Sequence, residues 1–173
     1  MRPNVLLREA IPEDASCLAA LAAQTWLHTY ATQGIRPTIA RYVHEHLTPA
    51  VLRSQIGRPD AVTLVAASDD HLVGFAVLEV GRQCPAHDAS AHLDKLFVQE
   101  HFWGQGVGSK LLQRVKTHAK VCGDESGIWL TVNSRNERAR AFYKKQGFND
   151  VGITDFDLYG EKHENHILHT PAA

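Results

Sequence analysis

A glycine-rich segment is the part of the sequence whose residue types and spacing most directly indicate chemistry. It reads WGQGVGS over residues 103–109, after an apolar stretch that ends at Val98 and before residues with a helical apolar period. Glycines on alternate residues between a strand and a helix allow backbone N–H groups to converge on an anion at the helix N-terminus. We therefore predict an anion-binding turn. The alternative is a glycine-rich turn that binds nothing.

Two common phosphate-binding loops do not fit this segment. A dinucleotide-binding fingerprint requires glycines spaced G-x-G-x-x-G, and the last of those positions is serine here. A nucleoside-triphosphatase loop requires Gly-Lys followed by Ser or Thr, whereas the chain reads Gly108-Ser109-Lys110. The spacing excludes both loops.

The segment resembles the signature of the GNAT superfamily of acetyl-CoA-dependent N-acetyltransferases, Q/R-x-x-G-x-G/A. Gly106 and Gly108 occupy its glycine positions, and Trp103 stands where the family has Gln or Arg. The segment Leu130–Phe148 is similar to the family's next strand and helix, and the opening LREA at residues 7–10 is similar to a common GNAT start. The cofactor half and the tail also resemble the bacterial spermidine/spermine acetyltransferase group.

This resemblance implies a fold and a domain organisation. The fold is mixed α/β (α+β), with a central, mostly antiparallel, twisted sheet of six to seven strands. The sheet is splayed between its fourth and fifth strands and is flanked by about four helices. We expect one such domain over residues 1–173.

The resemblance also implies acetyl-CoA as cofactor and coenzyme A as product. It places Tyr143 near the coenzyme sulfur as a proton donor to the departing thiolate; the alternative is a tyrosine that only packs beside Phe142. Backbone amides at the end of the fourth strand would stabilise charge on the thioester oxygen. Asn136 and Lys145 are also expected at the cofactor. An alternative for Asn136 is a purely structural position at a helix N-terminus, and for Lys145 a position on a solvated helix surface. The residues expected at the cofactor are Phe97, Val98, Trp103, Gly104, Gln105, Gly106, Val107, Gly108, Ser109, Asn136, Ala139, Phe142, Tyr143 and Lys145.

The base that deprotonates the amine is less clearly indicated. Where many GNAT members have a glutamate early in the fourth strand, alignment from Gly106 gives His92. A neutral imidazole accepts a proton near pH 7. Asp94, two residues on, would share its face of the strand and could orient the imidazole or attract a cationic substrate. Glu79 is the reserve base, and a water chain is a further alternative. His92 would have no such role if it merely ended the strand in solvent.

The acceptor is expected to be a primary amine, attacked directly in a ternary complex, with a polyamine-like cation as the first candidate. Carboxylates and aromatic rings suit such a cation, although aromatic residues in a small domain are usually core. The alternatives are a peptide N-terminus or lysine, a coenzyme A-binding sensor without transfer activity, and a nucleotide-phosphate binder. We expect no metal, because the spacing of three between the tail histidines puts successive members on opposite faces of a strand. The expected acceptor-binding residues are Trp26, Tyr30, Tyr42, Glu79 and Asp94.

Hydrophobic periodicity places these residues on elements. Pro12 followed by two acids predicts the start of a helix, and residues 25–60 read as a broken helical region. Strands are predicted at residues 62–66, 72–80, 92–98 and 128–132, and a closing antiparallel pair at 148–158 and 163–169. Two helices are also predicted. The first follows the glycine turn and has an apolar stripe formed by Val107, Leu111, Leu112 and Val115, and the second covers residues 136–146.

Composition limits the partners. The 173 residues carry 18 Lys and Arg against 19 Asp and Glu, which argues against a nucleic-acid binder. The longest apolar run, Leu72–Leu78, is too short for a membrane span. An odd number of cysteines, 3, at no metal-binding spacing suits a reducing compartment, so we expect a cytoplasmic protein. A homodimer is compatible with the sequence but is not required by it.

Overall fold

The computed structural model describes residues 4–172. Within them, strands and helices follow one another as in a mixed α/β protein, and no helix is both long and apolar enough to cross a membrane. The strands are β1 (Val5–Glu9), β2 (Ala61–Ser68), β3 (His71–Val80), β4 (Ala91–Val98), β5 (Ile128–Asn133), β6 (Asn149–Leu158) and β7 (Glu161–Thr170). The helices are α1 (Ala15–Tyr30), α2 (Pro37–His46), α3 (Pro49–Ile56), α4 (Val107–Val121) and α5 (Glu137–Lys145).

The strands form a mixed sheet in the order β1-β2-β3-β4-β5-β7-β6. The β1–β2, β5–β7 and β6–β7 pairs are antiparallel, whereas β4 and β5 are parallel. The register of β4 with β5 joins Ala91 to Ile128 and His92 to Trp129, at the start of both strands. These features confirm the predicted sheet and fit the expected splay between the fourth and fifth strands. The α-helices in the described range number five rather than about four, because residues 25–60 give two separate helices, α2 and α3.

The chain packs as two compact units. One comprises residues 4–77 and 95–115, and the other residues 78–94 and 116–172, so that β3, β4 and α4 contribute to both. The expectation of one domain over residues 1–173 stays a prediction. Each unit is described below by itself.

Prolines define the helix starts in the first unit. Pro12 begins a short 3₁₀ turn before α1, and Pro37 and Pro49 open α2 and α3. The missing proline N–H costs nothing there, because the first turn of a helix has no internal partner for it. Thr48 caps α3 by accepting a hydrogen bond from the Val51 N–H at 3.3 Å. The predicted stripe of α4 is confirmed, since its four members are at most 1% exposed.

A partly buried ion pair joins β1 to the start of α1. The Arg8 guanidinium donates two hydrogen bonds to the Asp14 carboxylate, at 2.7 and 2.9 Å, and the Ile11 N–H donates a third at 2.8 Å. The hydrogen bonds from Arg8 hold the pKa of Asp14 below its usual value. The sequence shows Asp14 only as an acid in a first helical turn, so its burial was not predicted.

We expect Asp14→Asn to lower the free energy of unfolding by about 2 kcal/mol at pH 7, because Arg8 then loses its charged partner. A carboxylate whose folded-state pKa is depressed stabilises the protein above its unfolded pKa, and this stabilisation is lost as the pH falls through the folded value. The wild type should therefore lose stability at acidic pH, and the variant should lose less. Urea denaturation at pH 7 and under acidic conditions measures both. Asp69→Asn, at an exposed turn position with φ 52°, is the control and should change stability by less than about 0.5 kcal/mol. Equal stability of wild type and Asp14→Asn would contradict the argument.

Strands β6 and β7 form the predicted closing pair of the second unit, with a register irregularity between Asp150 and Gly152. Helix α5 is capped by Asn136, whose side chain accepts from the Ala139 N–H at 3.1 Å, and it is followed by Gly147 at φ 88°. Gly127, just before β5, has φ 93°, and an added Cβ would lie 2.1 Å from the Thr170 carbonyl oxygen. Glycine is therefore required there by both conformation and space.

Candidate active site

The glycine turn of the first unit has the geometry of an anion-binding site. Gly104 and Gly106 have φ values of 71° and 84°, which favour glycine, and α4 begins directly after them at Val107. A Cβ added to either glycine would meet no heavy atom within 4 Å, so the backbone there faces open space. A helix N-terminus with its backbone accessible in this way fits a phosphate group.

Trp103 braces this turn. Its indole N–H donates to the Val98 carbonyl at 2.7 Å, at the end of β4, and its ring meets the His28 ring edge-on at 5.1 Å. The Gln105 side chain donates to the His101 carbonyl at 2.8 Å. The large side chain at position 103 therefore joins the turn to the strand. Direct contact of Trp103 and Gln105 with a cofactor stays a prediction.

A carboxylate–imidazole cluster lies in the second unit. His92 and Glu79 are each 5% exposed, and Nδ1 of His92 lies 3.0 Å from Oε2 of Glu79. Asp94, which is partly exposed, belongs to the same cluster. One imidazole nitrogen of His92 and one carboxylate oxygen each of Glu79 and Asp94 lie within 4.8 Å of one another. Arg82 donates to Oε2 of Glu79 at 2.9 Å, and the Trp129 ring lies 4.1 Å from the His92 ring. His92 is thus buried, and the reading of it as a solvent-exposed strand end is wrong.

The cluster defines which nitrogen of His92 can accept a proton. A carboxylate at neutral pH only accepts hydrogen bonds, so Nδ1 must carry the hydrogen that Glu79 receives, and Nε2 keeps its lone pair. Burial lowers the pKa of His92 below the usual 6.5, against smaller raising effects of the hydrogen bond that His92 donates to Glu79 and of the charge of Asp94. The imidazole is therefore neutral at pH 7. The sequence suggested Asp94 as the orienting carboxylate, whereas the hydrogen bond is made by Glu79.

Tyr143 lies on α5, also in the second unit. It is 8% exposed, and its ring packs edge-on against Phe142 and Phe148, at 5.2 and 5.4 Å between centroids. Burial raises the pKa of Tyr143 well above its usual 10, so the phenol stays protonated at neutral pH. Lys145 is exposed, and Asn136 caps the helix. The cofactor roles of these residues stay predictions.

The aromatic residues expected at the acceptor form a stack in the first unit. Trp26 lies 4.6 Å from Tyr30 and 4.3 Å from Tyr42 between ring centroids, with nearly parallel planes, and Tyr42 in turn contacts His46 at 4.6 Å. Trp26 is 6% exposed. The three aromatic residues are thus brought together, but largely against one another. Acceptor binding by them stays a prediction.

The tail histidines have separate partners. His163 lies 3.8 Å from a Glu161 carboxylate oxygen, and His166 pairs with Asp150. His169 donates from Nε2 to the Ser126 carbonyl at 2.9 Å. Sequence analysis did not identify Arg82 as a member of the carboxylate–imidazole cluster, because a single arginine in the loop after β3 forms no motif.

Comparison with known proteins identifies the family. Residues 23–148 match the Acetyltransferase (GNAT) family. An uncharacterised N-acetyltransferase of Mycobacterium bovis is 34% identical over 88% of this chain and 93% of its own length. A peptidyl-lysine N-acetyltransferase of Salmonella typhimurium is 34% identical over 60% of this chain and 61% of its own length. A spermine/spermidine N(1)-acetyltransferase of Bacillus subtilis is 30% identical over 53% of this chain and 60% of its own length.

A solved structure supports the fold. It is a PaiA N-acetyltransferase of Thermoplasma acidophilum in complex with coenzyme A, with a TM-score of 0.78, 24% sequence identity and coverage of 97% of this chain and 99% of that one. The match to the GNAT family and the relatives named N-acetyltransferases define the class of the protein, which is that of the acetyl-CoA-dependent N-acetyltransferases. The chain belongs to the GNAT acetyltransferase family, as its match to that family over residues 23–148 shows.

Proposed function

We propose that this enzyme acetylates a primary amine of a small polyamine-like cation, by direct attack of the amine on acetyl-CoA in a ternary complex. The observation that supports it is the cluster of Glu79, His92 and Asp94. It combines a neutral, buried imidazole with two carboxylates within 4.8 Å. An alkylammonium ion has a pKa near 10.4 and must lose a proton before it attacks. The cluster offers negative charge to attract the cation and a nitrogen to take the proton.

Acetyl-CoA supplies the activated acetyl group as a thioester. Backbone N–H groups of Gly106 and Gly108 at the start of α4 bind its diphosphate in this proposal, as the family resemblance implies. Backbone amides at Phe97 and Val98 stabilise negative charge on the acyl oxygen. Open space above the turn and the positive φ of Gly106 support the first of these assignments.

Proton transfers complete the proposed reaction. His92 accepts the proton of the amine at Nε2, Glu79 holds the imidazole through Nδ1, and Asp94 attracts the ammonium form of the substrate. Tyr143 gives its phenolic proton to the departing sulfur. The nitrogen–carbon bond forms and the carbon–sulfur bond breaks. The acylated nitrogen then releases its second proton, which restores the Tyr143 phenol, and His92 passes the first proton to solvent.

Peptide lysine is the second candidate acceptor. The lysine side chain and a polyamine both end in a primary amine on an alkyl chain, so the same cluster suits either. The similarity to the Bacillus subtilis polyamine enzyme and to the Salmonella typhimurium peptidyl-lysine enzyme supports one candidate each. A polyamine differs in carrying further cationic nitrogens, and the partly exposed carboxylate of Asp94 is a suitable partner for such a charge.

Release of thiol from acetyl-CoA tests the proposal. Spermidine, spermine, lysine peptides, amino acids and aminoglycosides are compared with a reaction that contains no acceptor. We expect kcat/KM for spermidine to exceed that for a blocked lysine peptide by about tenfold or more, which corresponds to one additional ion pair of about 1.4 kcal/mol. A preference for the peptide would establish the second candidate. Tight cofactor binding without turnover on any acceptor would contradict the enzyme proposal and favour a sensor.

A further inference from the structure

We propose that Glu79, His92 and Asp94 form a binding site for Zn²⁺. The three side chains offer one imidazole nitrogen and two carboxylate oxygens, within 4.8 Å of one another. Imidazole and carboxylate groups are ordinary zinc ligands, and three protein ligands with one further position open is the usual arrangement of an accessible zinc ion. The remaining position would hold water or a small ligand.

The distances already approach those of a metal site. Ligand atoms around tetrahedral Zn²⁺, at bonds of about 2.0–2.1 Å, lie about 3.3 Å from each other. Nδ1 of His92 and Oε2 of Glu79 are separated by 3.0 Å. An Asp94 carboxylate oxygen lies within 4.8 Å of the other two ligand atoms. Because Asp94 is partly exposed, a rotation of its side chain can bring this oxygen closer to them.

The surroundings of the cluster also suit a metal ion. Glu79 and His92 are each 5% exposed, so two of the three ligands are already desolvated and held in place. The Trp129 ring covers the imidazole at 4.1 Å, and its N–H is fixed by the Arg82 carbonyl at 2.8 Å. An apolar, ordered surrounding of this kind limits the access of water to a bound metal.

Arg82 is a built-in competitor for this site. Its guanidinium donates to Oε2 of Glu79, an oxygen that Zn²⁺ would take, at 2.9 Å. The Arg82 side chain is 57% exposed, so it can leave that oxygen for solvent. Its removal deletes a positive charge beside the metal position while the Arg82 carbonyl still accepts from Trp129. We therefore expect loss of this side chain to tighten Zn²⁺ binding, the opposite of what loss of a ligand does.

Calorimetric titration of the full-length, chelator-treated protein with Zn²⁺, in the absence of acetyl-CoA, tests the site. We expect Asp94→Asn and His92→Gln each to weaken binding at least tenfold, since changes around zinc ligands alone cost about 10–100-fold. Arg82→Met should tighten binding by about tenfold, the effect of about 1.4 kcal/mol of removed repulsion. Mg²⁺ should bind far more weakly, because it prefers an octahedral oxygen shell that retains water.

His166→Asn is the matched control, since it removes another histidine–carboxylate pair, with Asp150, in the same unit. It should bind Zn²⁺ as the wild type does, and circular dichroism checks that each variant is folded. Equal affinity of wild type, Asp94→Asn and His92→Gln would overturn the site. Loss of binding in His166→Asn, or weaker binding in Arg82→Met, would overturn it as well.

Zn²⁺ bound here should also inhibit acetyl transfer, a consequence that rests on the proposed function. Zn²⁺ takes the lone pair of Nδ1 and so leaves the imidazole hydrogen on Nε2, which then has no lone pair to accept the proton of the amine. Inhibition should be competitive with the amine, and a chelator should reverse it. Zn²⁺ binding without inhibition would support the metal site and contradict the role of His92 as base, so the two ideas fail separately.

Discussion

Replacing Tyr143 with phenylalanine should lower kcat about 100-fold, with little change in the affinity for acetyl-CoA. The loss is the low end of the range for a general acid. Burial raises the pKa of Tyr143, so the phenol is protonated when the thiolate departs. Phenylalanine keeps the ring between Phe142 and Phe148, so the fold should be retained. Thiol release measures kcat, and titration calorimetry measures cofactor affinity.

Tyr159→Phe is the matched control, because it removes a tyrosine hydroxyl from the β6–β7 turn of the same unit. It should leave both quantities unchanged. Full activity of Tyr143→Phe would show that Tyr143 only packs beside its neighbours. If the wild type itself had no measurable rate on any amine, while both variants bound acetyl-CoA equally well, the sensor alternative would hold.

Replacing His92 with glutamine should lower kcat/KM about 100-fold and remove one limb of its pH dependence. The base acts in its neutral form, so activity falls as the pH drops through the pKa of His92. Because burial lowers that pKa, the wild-type limb should lie below 6.5. The ionisation of the amine contributes a separate limb at higher pH, common to wild type and variant. Initial rates of thiol release at low acceptor concentration, measured as a function of pH, give the positions of the two limbs.

Glu79→Gln provides a finer test of the same assignment. The hydrogen bond that His92 donates to the Glu79 carboxylate raises the pKa of His92, so its weakening should shift the acidic limb to lower pH rather than abolish it. His71→Gln, at the exposed start of β3, should leave the profile unchanged. If the acidic limb persisted in His92→Gln, another group or a water chain would be the base.

Local signals predicted most of the elements. The helical start at Pro12 and the apolar stripe of α4 each depend on a few neighbouring residues, so both can be read from the sequence. The glycine turn is equally local, because positive φ at Gly104 and Gly106 depends on the absence of a side chain. These positions required no knowledge of the tertiary structure.

Contacts between distant residues were less accessible. Glu79 and His92 are separated by 13 positions on different strands, and only the register of the sheet makes them hydrogen-bond partners. The bond from Trp129 to the Arg82 carbonyl joins residues 47 positions apart. Similarly, nothing in the spacing of Trp26 and Tyr42 shows that their rings stack on one another. Sequence reasoning therefore found the members of the cluster but assigned the orienting carboxylate to Asp94.

The proposed recognition of the cofactor through backbone amides has an evolutionary consequence for the glycine turn. Amide groups are the same in every residue, so selection there acts on the path of the chain and leaves much of the side-chain identity to drift. Gly104 and Gly106 are closed to such drift by their positive φ. Position 103 is an example: an indole bonded to the Val98 carbonyl stands where the family signature that this segment resembles has Gln or Arg. Distant members of this lineage should accordingly be easier to detect by the shape of this turn than by its letters.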